Sequence, residues 1–180
     1  MCGIVGFIGQ KNRNINYPDE MIVNMINKLN HRGPDNQGKW IDKSKDIYLG
    51  HTRLSILDLS VNGNQPMTSH SNRYVICYNG EIYNHLSLRS LKLNDYPWKG
   101  YSDTETLLQL IQEFGLDETL GMIDGMFAFA LYDKETNTIC LVRDKVGEKP
   151  LYYGFLDNSF VFTSESVSYT HLTLPTILLV

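Results

Sequence analysis

The chain begins Met1-Cys-Gly-Ile-Val-Gly-Phe-Ile-Gly9, and this stretch predicts both a buried strand and a reactive N-terminus. Its residues are apolar or small, which is typical of a strand that another backbone approaches closely. If Met1 is removed, Cys2 carries a thiol and a free α-amine on the same Cα. An α-amine, with a pKa of about 7.7 to 8.0, can accept the thiol proton directly or through one water molecule. The mature N-terminus would then hold a nucleophile and its base in one residue.

The hydrophobic pattern of the remaining chain predicts an α+β fold. Apolar residues at helical spacing begin at Pro18 and end before Gly33-Pro34, and they recur over 104–114, with Asp103 as the cap and Gly115 as the stop. A short helix is predicted over 117–122, and strands over 38–41, 47–54, 74–78, 126–132, 138–142, 151–155 and 160–163. The chain is expected to bend at Asn79-Gly80. Because strands and helices do not alternate regularly, we expect two stacked antiparallel sheets between outer helices, a layered αββα domain.

The composition indicates a protein without a nucleic-acid or membrane partner. The 180 residues carry a net charge of -4 with mixed signs and no basic patch. No leader-like segment precedes Cys2, and the apolar run 176–180 is too short to span a bilayer. The three widely spaced cysteines fit a reducing compartment, and the five histidines lack the spacing of metal ligands. We therefore expect a soluble cytoplasmic protein without a metal site.

Four further stretches have ordinary structural interpretations when each is taken alone. His31-Arg-Gly-Pro-Asp35 can close a helix, and Arg53 at a strand end is by default a surface arginine. Asn79-Gly80 is a common hairpin signal. Ser102-Asp-Thr-Glu105 reads as a helix N-cap followed by acidic residues in the first turn. No single one of these stretches indicates a function.

Taken together and in this order, the stretches resemble the N-terminal class II glutamine amidotransferase domain of the asparagine synthase (glutamine-hydrolysing) family, an N-terminal-nucleophile hydrolase. The matching stretches are Cys2-Gly-Ile4, His31-Arg-Gly-Pro-Asp35, Arg53-Leu-Ser-Ile56, Asn79-Gly-Glu-Ile-Tyr-Asn84 and Ser102-Asp-Thr-Glu105, supported by Gly125-Met-Phe-Ala-Phe-Ala-Leu-Tyr-Asp133 and Arg143-Asp-Lys-Val-Gly-Glu-Lys-Pro-Leu-Tyr-Tyr153. The related glutaminases of glucosamine-6-phosphate synthase and of phosphoribosylamine synthesis differ at 53–56 and 79–84. The resemblance therefore favours the asparagine synthase branch.

The resemblance implies hydrolysis of L-glutamine to glutamate and ammonia through a γ-glutamyl thioester on Cys2. The oxyanion formed when Cys2 attacks needs hydrogen-bond donors aimed at it. The family places the Asn79 side-chain amide and the Gly80 backbone N–H there. Cys2, Asn79 and Gly80 are therefore the predicted catalytic residues.

The same resemblance implies the residues that bind glutamine. Arg53 suits the α-carboxylate because its fork can bond both carboxylate oxygens. Glu81 and Asp103 suit the α-ammonium, as the family implies, and Leu54 and Ile56 complete the implied substrate site.

The resemblance also implies the domain organisation. It covers residues 2–165 as the glutaminase domain, whereas residues 166–180 match no part of the family and are interpreted as a non-native scar. Family members continue into a C-terminal synthetase domain that uses ATP and magnesium, and no phosphate-cradling glycine loop occurs in this sequence. We expect no cofactor in this domain, and asparagine synthesis from aspartate only in a full-length enzyme that contains the missing synthetase domain. A homodimer is left open.

Two alternatives also remain open at this point. The ammonia could serve a sugar or peptide acceptor, because the missing domain selects the acceptor. The chain could instead be an inactive binding or interface module that only docks a partner. The intact set of predicted site residues counts against the second alternative.

Overall fold

A computed structural model describes residues 1–9, 18–156, 159–168 and 178–179. In chain order, the strands and helices of these residues are β1 Gly3–Ile8, α1 Pro18–Lys28, β2 Asn36–Asp42, β3 Ile47–Arg53, β4 Met67–Thr68, β5 Tyr74–Ile82, α2 His85–Lys92, α3 Asp103–Phe114, α4 Leu116–Met122, β6 Gly125–Asp133, β7 Thr138–Arg143, β8 Tyr152–Leu156, β9 Ser159–Thr163 and β10 Leu178–Leu179. Short 3-10 turns lie at Asn30–Arg32, Val61–Gly63 and Ser166–Ser168. None of the helices in these ranges combines the length and apolar character needed to cross a bilayer.

The strands form two antiparallel sheets that stack face to face. One sheet has the order β10-β8-β9-β1-β3-β2, and the other has the order β4-β5-β6-β7. One buried cluster joins the facing sides of both sheets through residues such as Ile4, Leu49, Cys77 and Ala130. Helix α1 packs on the outer face of the first sheet, and α3 packs on the outer face of the second. This arrangement confirms the expected αββα layers.

Strand β1 lies inside its sheet and is buried on both faces. Ile4 points toward the second sheet, whereas Val5 and Phe7 pack with Ile22 and Met25 of α1. Burial on both faces explains why the sequence of β1 is apolar throughout instead of alternating. Strand β3 pairs with β1 from Gly3 to Ile8, and β9 pairs with it from Val5 to Ile8, so the residue just before β1 is held at a fixed place.

Helix α3 begins one residue away from the predicted cap. Ser102 is the N-cap, and its Oγ accepts a hydrogen bond from the Glu105 backbone N–H at 3.3 Å. The prediction that Asp103 caps the helix was therefore wrong. Asp103 is the first helical residue, and its carboxylate accepts hydrogen bonds from Tyr78 and Ile82. Gly115 ends the helix with a φ of 79°, as predicted.

The predicted bend at Asn79-Gly80 was also wrong. Strand β5 continues through both residues to Ile82, and Gly80 pairs with Phe127 of β6. A Cβ at position 80 would lie 2.4 Å from the Met126 carbonyl oxygen. The glycine therefore permits close approach of the neighbouring strand and does not form a turn.

Helix α2 was not predicted from the sequence. It carries few apolar residues, and one of its buried side chains is Arg89. The Arg89 guanidinium bonds Thr106 Oγ1 and the carbonyls of Gly100 and Ser102, and it lies 3.8 Å from the centre of the Trp98 ring. These partners are distant in sequence, so the apolar pattern could not reveal the helix.

Candidate active site

The residues predicted for the site line one cavity, namely Cys2, Arg53, Leu54, Ile56, Asn79, Gly80, Glu81 and Asp103. They come from the start of β1, the end of β3, the end of β5 and the first turn of α3. Strands β1 and β3 belong to one sheet and β5 to the other, so the stacking of the sheets brings the stretches together.

The Cys2 thiol lies against the end of β3. Its Sγ is 3.4 Å from the Leu54 backbone nitrogen, which donates to it, and 3.6 Å from the Leu54 carbonyl oxygen. Burial raises the pKa of the Cys2 thiol, and the Leu54 N–H and the positive charges of the N-terminus and Arg53 offset this only in part. Little thiolate forms unaided at neutral pH, so the thiol needs a base to react.

The main chain of Cys2 is held by a residue that the sequence analysis did not single out. Buried Arg32 donates from Nε to the Cys2 carbonyl oxygen at 2.9 Å, and its Nη1 lies 2.5 Å from Glu165 Oε1. His31 Nε2 contacts the other Glu165 carboxylate oxygen at 3.0 Å. Taken alone, the stretch 31–35 was interpreted as closing a helix; the structure instead buries Arg32, which the sequence pattern did not indicate.

Asn79 presents an unused hydrogen-bond donor. The residue is 2% exposed, and its Nδ2 has no acceptor among the described residues. Burying an amide without a partner costs about 1 to 3 kcal/mol. Such a group in a cavity wall is suited to a ligand oxygen.

Arg53 is buried. The default interpretation of this residue, a surface arginine, was therefore wrong. Its Nη1 donates to the Ser60 carbonyl and to Asn64 Oδ1, both at 2.8 Å, and its Nη2 donates to the Asp58 carbonyl. A Cβ at position 63 would lie 2.2 Å from Arg53 Nη2, so Gly63 makes room for the guanidinium. Three of the five guanidinium N–H donors therefore hold the 58–64 loop, and the other two have no acceptor among the described residues.

Two carboxylates share the cavity with Arg53. Asp103 Oδ2 accepts hydrogen bonds from the Tyr78 hydroxyl at 2.8 Å and from the Ile82 backbone N–H at 2.9 Å. Burial raises the pKa of Asp103, and these two hydrogen bonds oppose the rise. Half-buried Glu81 lies on the same wall. The site thus contains separate places for a cation and for an anion.

Tyr78 is a second residue that the sequence analysis missed. Besides its bond to Asp103, its backbone N–H donates to Gln65 Oε1 at 2.6 Å. Its carbonyl oxygen accepts from His51 Nε2 at 3.0 Å, and burial lowers the pKa of His51 to about 4, so this ring is neutral at pH 7. No group of three or more His, Cys, Asp or Glu side chains in the described ranges is placed to hold a metal ion.

Comparison with known proteins assigns the chain to a family. Residues 1–176 match the model of the glutamine amidotransferase domain. The putative asparagine synthetase [glutamine-hydrolyzing] 2 of Methanocaldococcus jannaschii is 40% identical, over 92% of this chain and 34% of the relative. Asparagine synthetase [glutamine-hydrolyzing] 2 of Bacillus subtilis is 37% identical, over 97% of this chain and 23% of the relative. The chain thus spans about a quarter to a third of the length of these relatives.

A solved structure that is less similar in sequence than these relatives has the same fold. The glutamine phosphoribosylpyrophosphate amidotransferase of B. subtilis, solved with ADP and GMP, superposes with a TM-score of 0.79 at 23% identity, over 98% of this chain and 44% of that chain. The chain therefore belongs to the glutamine amidotransferase domain family and has the N-terminal-nucleophile hydrolase fold.

Proposed function

We propose that this chain hydrolyses the side-chain amide of glutamine, with Cys2 as the nucleophile, and releases glutamate and ammonia. The observation that carries the proposal is the buried Asn79 amide nitrogen, which has no acceptor among the described residues and lies in the same cavity as the Cys2 thiol. Family membership supports the same reaction. We also place the protein in the cytoplasm.

Removal of Met1 during maturation turns the Cys2 nitrogen into a basic α-amine, and each reaction then starts from this mature N-terminus. This amine takes the thiol proton, and the sulfur attacks the amide carbon of glutamine. The oxyanion accepts hydrogen bonds from Asn79 Nδ2 and the Gly80 N–H. The C–N bond then breaks, and ammonia leaves with the proton returned by the α-ammonium. Water adds to the thioester, and the C–S bond breaks to release glutamate and restore the thiol.

Recognition of glutamine uses the charged groups of the same cavity. We call Arg53, Asp103 and Glu81 its recognition end, and Cys2, Asn79 and Gly80 its reacting end. The two remaining donors of Arg53 bind the α-carboxylate. The carboxylates of Asp103 and Glu81 bind the α-ammonium, and Leu54 and Ile56 contact the rest of the substrate. Opposite charges at two points would select an α-amino acid over other amides.

We further propose that the ammonia serves asparagine synthesis from aspartate in a synthetase domain or subunit outside these residues. The relatives named asparagine synthetase support this assignment. ATP and magnesium would act there and not in the glutaminase site. The domain limit at residue 165 stays a prediction, and the family match reaches residue 176.

Glutamate release from glutamine by the purified chain tests the proposal. Cys2→Ala should lower turnover by about 10⁴-fold or more, because the reaction loses its nucleophile. Cys140→Ala is the matched control, since Cys140 lies on β7 outside the cavity and should leave turnover unchanged.

The second measurement is the intact mass of the active preparation, which shows whether Met1 has been removed. Loss of Met1 is expected, because an N-terminal methionine would leave the Cys2 nitrogen as a non-basic amide. Activity that survives Cys2→Ala, or activity with Met1 retained, would contradict the mechanism. A chain that releases no glutamate would instead favour a binding module.

A further inference from the structure

Lys149 is a buried lysine without an anionic partner among the described residues. It is 7% exposed and lines the cavity that contains Cys2. Its Nζ has one contact within the described ranges, the Met1 thioether Sδ at 3.7 Å. Lysines are rarely buried unless they are paired, and a thioether is a weak acceptor. Maturation would remove Met1, so the ammonium would then face the cavity with no acceptor among the residues that the structure describes.

The loop that presents Lys149 is held by other residues. Asp144 accepts hydrogen bonds from the backbone N–H groups of Glu148 at 2.9 Å and Lys149 at 3.0 Å. Arg143 donates to the carbonyls of Gly147 and Lys149, at 2.5 and 2.6 Å. The Lys149 side chain therefore makes no bond that this loop needs. The burial of this lysine calls for an explanation other than loop stability.

The same loop places Lys149 near the reacting end of the cavity. Asp144 Oδ2, which accepts from the Lys149 N–H, also accepts from the Phe127 N–H at 3.2 Å. Phe127 pairs with Gly80 in the β5–β6 ladder. Lys149 is thus anchored across from Gly80, whereas the Arg53 guanidinium is anchored by the 58–64 loop.

We propose that Lys149 is a further catalytic residue, whose ammonium contacts the reacting amide and stabilises the negative charge of the tetrahedral intermediate. The inference rests on the proposed glutaminase activity. A fixed positive charge in a site with little water acts strongly on charge that develops during the reaction. The thiol proton still passes to the α-amine. The space vacated by Met1 is where the amide and the ammonium meet.

The test compares Lys149→Met with Lys149→Arg in kcat, KM and thermal midpoint. Lys149→Met should lower kcat about ten- to a hundredfold with KM nearly unchanged, because the lost interaction belongs to the transition state. Its thermal midpoint should stay equal or rise, because a buried unpaired charge is replaced by an apolar chain of similar length. Lys149→Arg should recover part of kcat. Lys145 is an exposed lysine of the same loop, and Lys145→Met is the control that should change none of the three values.

Several outcomes would overturn the inference. An unchanged kcat in Lys149→Met, or a raised KM at constant kcat, removes Lys149 from the reacting end. A lower thermal midpoint together with a lower kcat in both variants indicates a structural role. A wild-type chain that releases no glutamate overturns the proposed function and this inference with it. An active wild type with an equally active Lys149→Met overturns the inference alone.

Discussion

The proposed recognition end and the proposed reacting end of the cavity differ in how their polar groups are satisfied. At the recognition end, Arg53 donates three hydrogen bonds to the 58–64 loop, and Asp103 accepts two from Tyr78 and Ile82. At the reacting end, the described residues offer no acceptor for Asn79 Nδ2 and only a thioether for Lys149 Nζ. Among the described residues, Arg53 and Asp103 are thus held by several protein hydrogen bonds, whereas Asn79 Nδ2 and Lys149 Nζ lack a strong acceptor.

This difference is expected if the two ends have different tasks. A substrate charge that persists through the reaction is best met by groups already oriented by the protein. Charge that exists only in the transition state is best met by donors with no other partner, because binding the ground state equally well would not raise kcat. Changes at the reacting end should therefore lower kcat, and changes at the recognition end should raise KM.

Among the substitutions that test this division, Asn79→Ala should have the largest kinetic effect. We expect kcat to fall by about a hundredfold to a thousandfold, because one oxyanion donor is lost. KM should stay close to the wild-type value, because the ground-state carbonyl gains little from this donor. Steady-state kinetics of glutamate release measure both constants. A wild-type turnover would remove Asn79 from the oxyanion and break the proposed division.

Arg53→Leu is expected to have a smaller effect, and the effect should be on KM and not on kcat. We expect KM for glutamine to rise about ten- to a hundredfold, because the α-carboxylate loses a charge-assisted partner. Glutamine binding measured by titration should weaken in parallel. Wild-type affinity in this variant would exclude Arg53 from the carboxylate site.

The structure requires a control for Arg53→Leu, because the substitution also releases the 58–64 loop. A glutamine analogue with an amidated α-carboxylate separates the two effects. If Arg53 binds the carboxylate, the variant and the wild type should handle this analogue almost equally. A penalty of the same size on the analogue would show that the loop, and not the contact, is responsible.

The smallest effect should come from Tyr78→Phe, which deletes one hydrogen bond to Asp103. We expect KM to rise roughly three- to tenfold at neutral pH with little change in kcat. Tyr132→Phe is the matched control, because this equally buried tyrosine bonds Asn137 at 2.9 Å outside the cavity.

The pH dependence of Tyr78→Phe sharpens the same prediction. If Asp103 binds the ammonium of glutamine, it must be ionised, so binding should weaken as pH falls through the pKa of Asp103, which burial already raises. The Tyr78 hydroxyl lowers that pKa, so its loss should move the acid limb of kcat/KM to higher pH. An acid limb at the same pH in variant and wild type would mean that Tyr78 does not act through Asp103.

Much of the fold and most of the proposed site could be predicted from local pattern. Periodic apolar residues indicated α1, α3 and most strands, because burial of one or two faces requires apolar residues at regular positions in the sequence. The ordered stretches around Cys2, Arg53, Asn79 and Asp103 indicated the family and the cavity residues. Local pattern misled at Asn79-Gly80, where a common turn signal lies inside a strand because a neighbouring backbone approaches closely.

The sequence by itself determined the αββα layering, the family and the chemical identity of the predicted nucleophile. Only the tertiary structure decided which polar groups are satisfied. It buried Arg53 among loop carbonyls, joined Tyr78 to Asp103 and left Lys149 facing Met1. These contacts join residues that are up to 148 positions apart. Hydrogen bonding and burial depend on three-dimensional neighbours, and a linear pattern does not contain them.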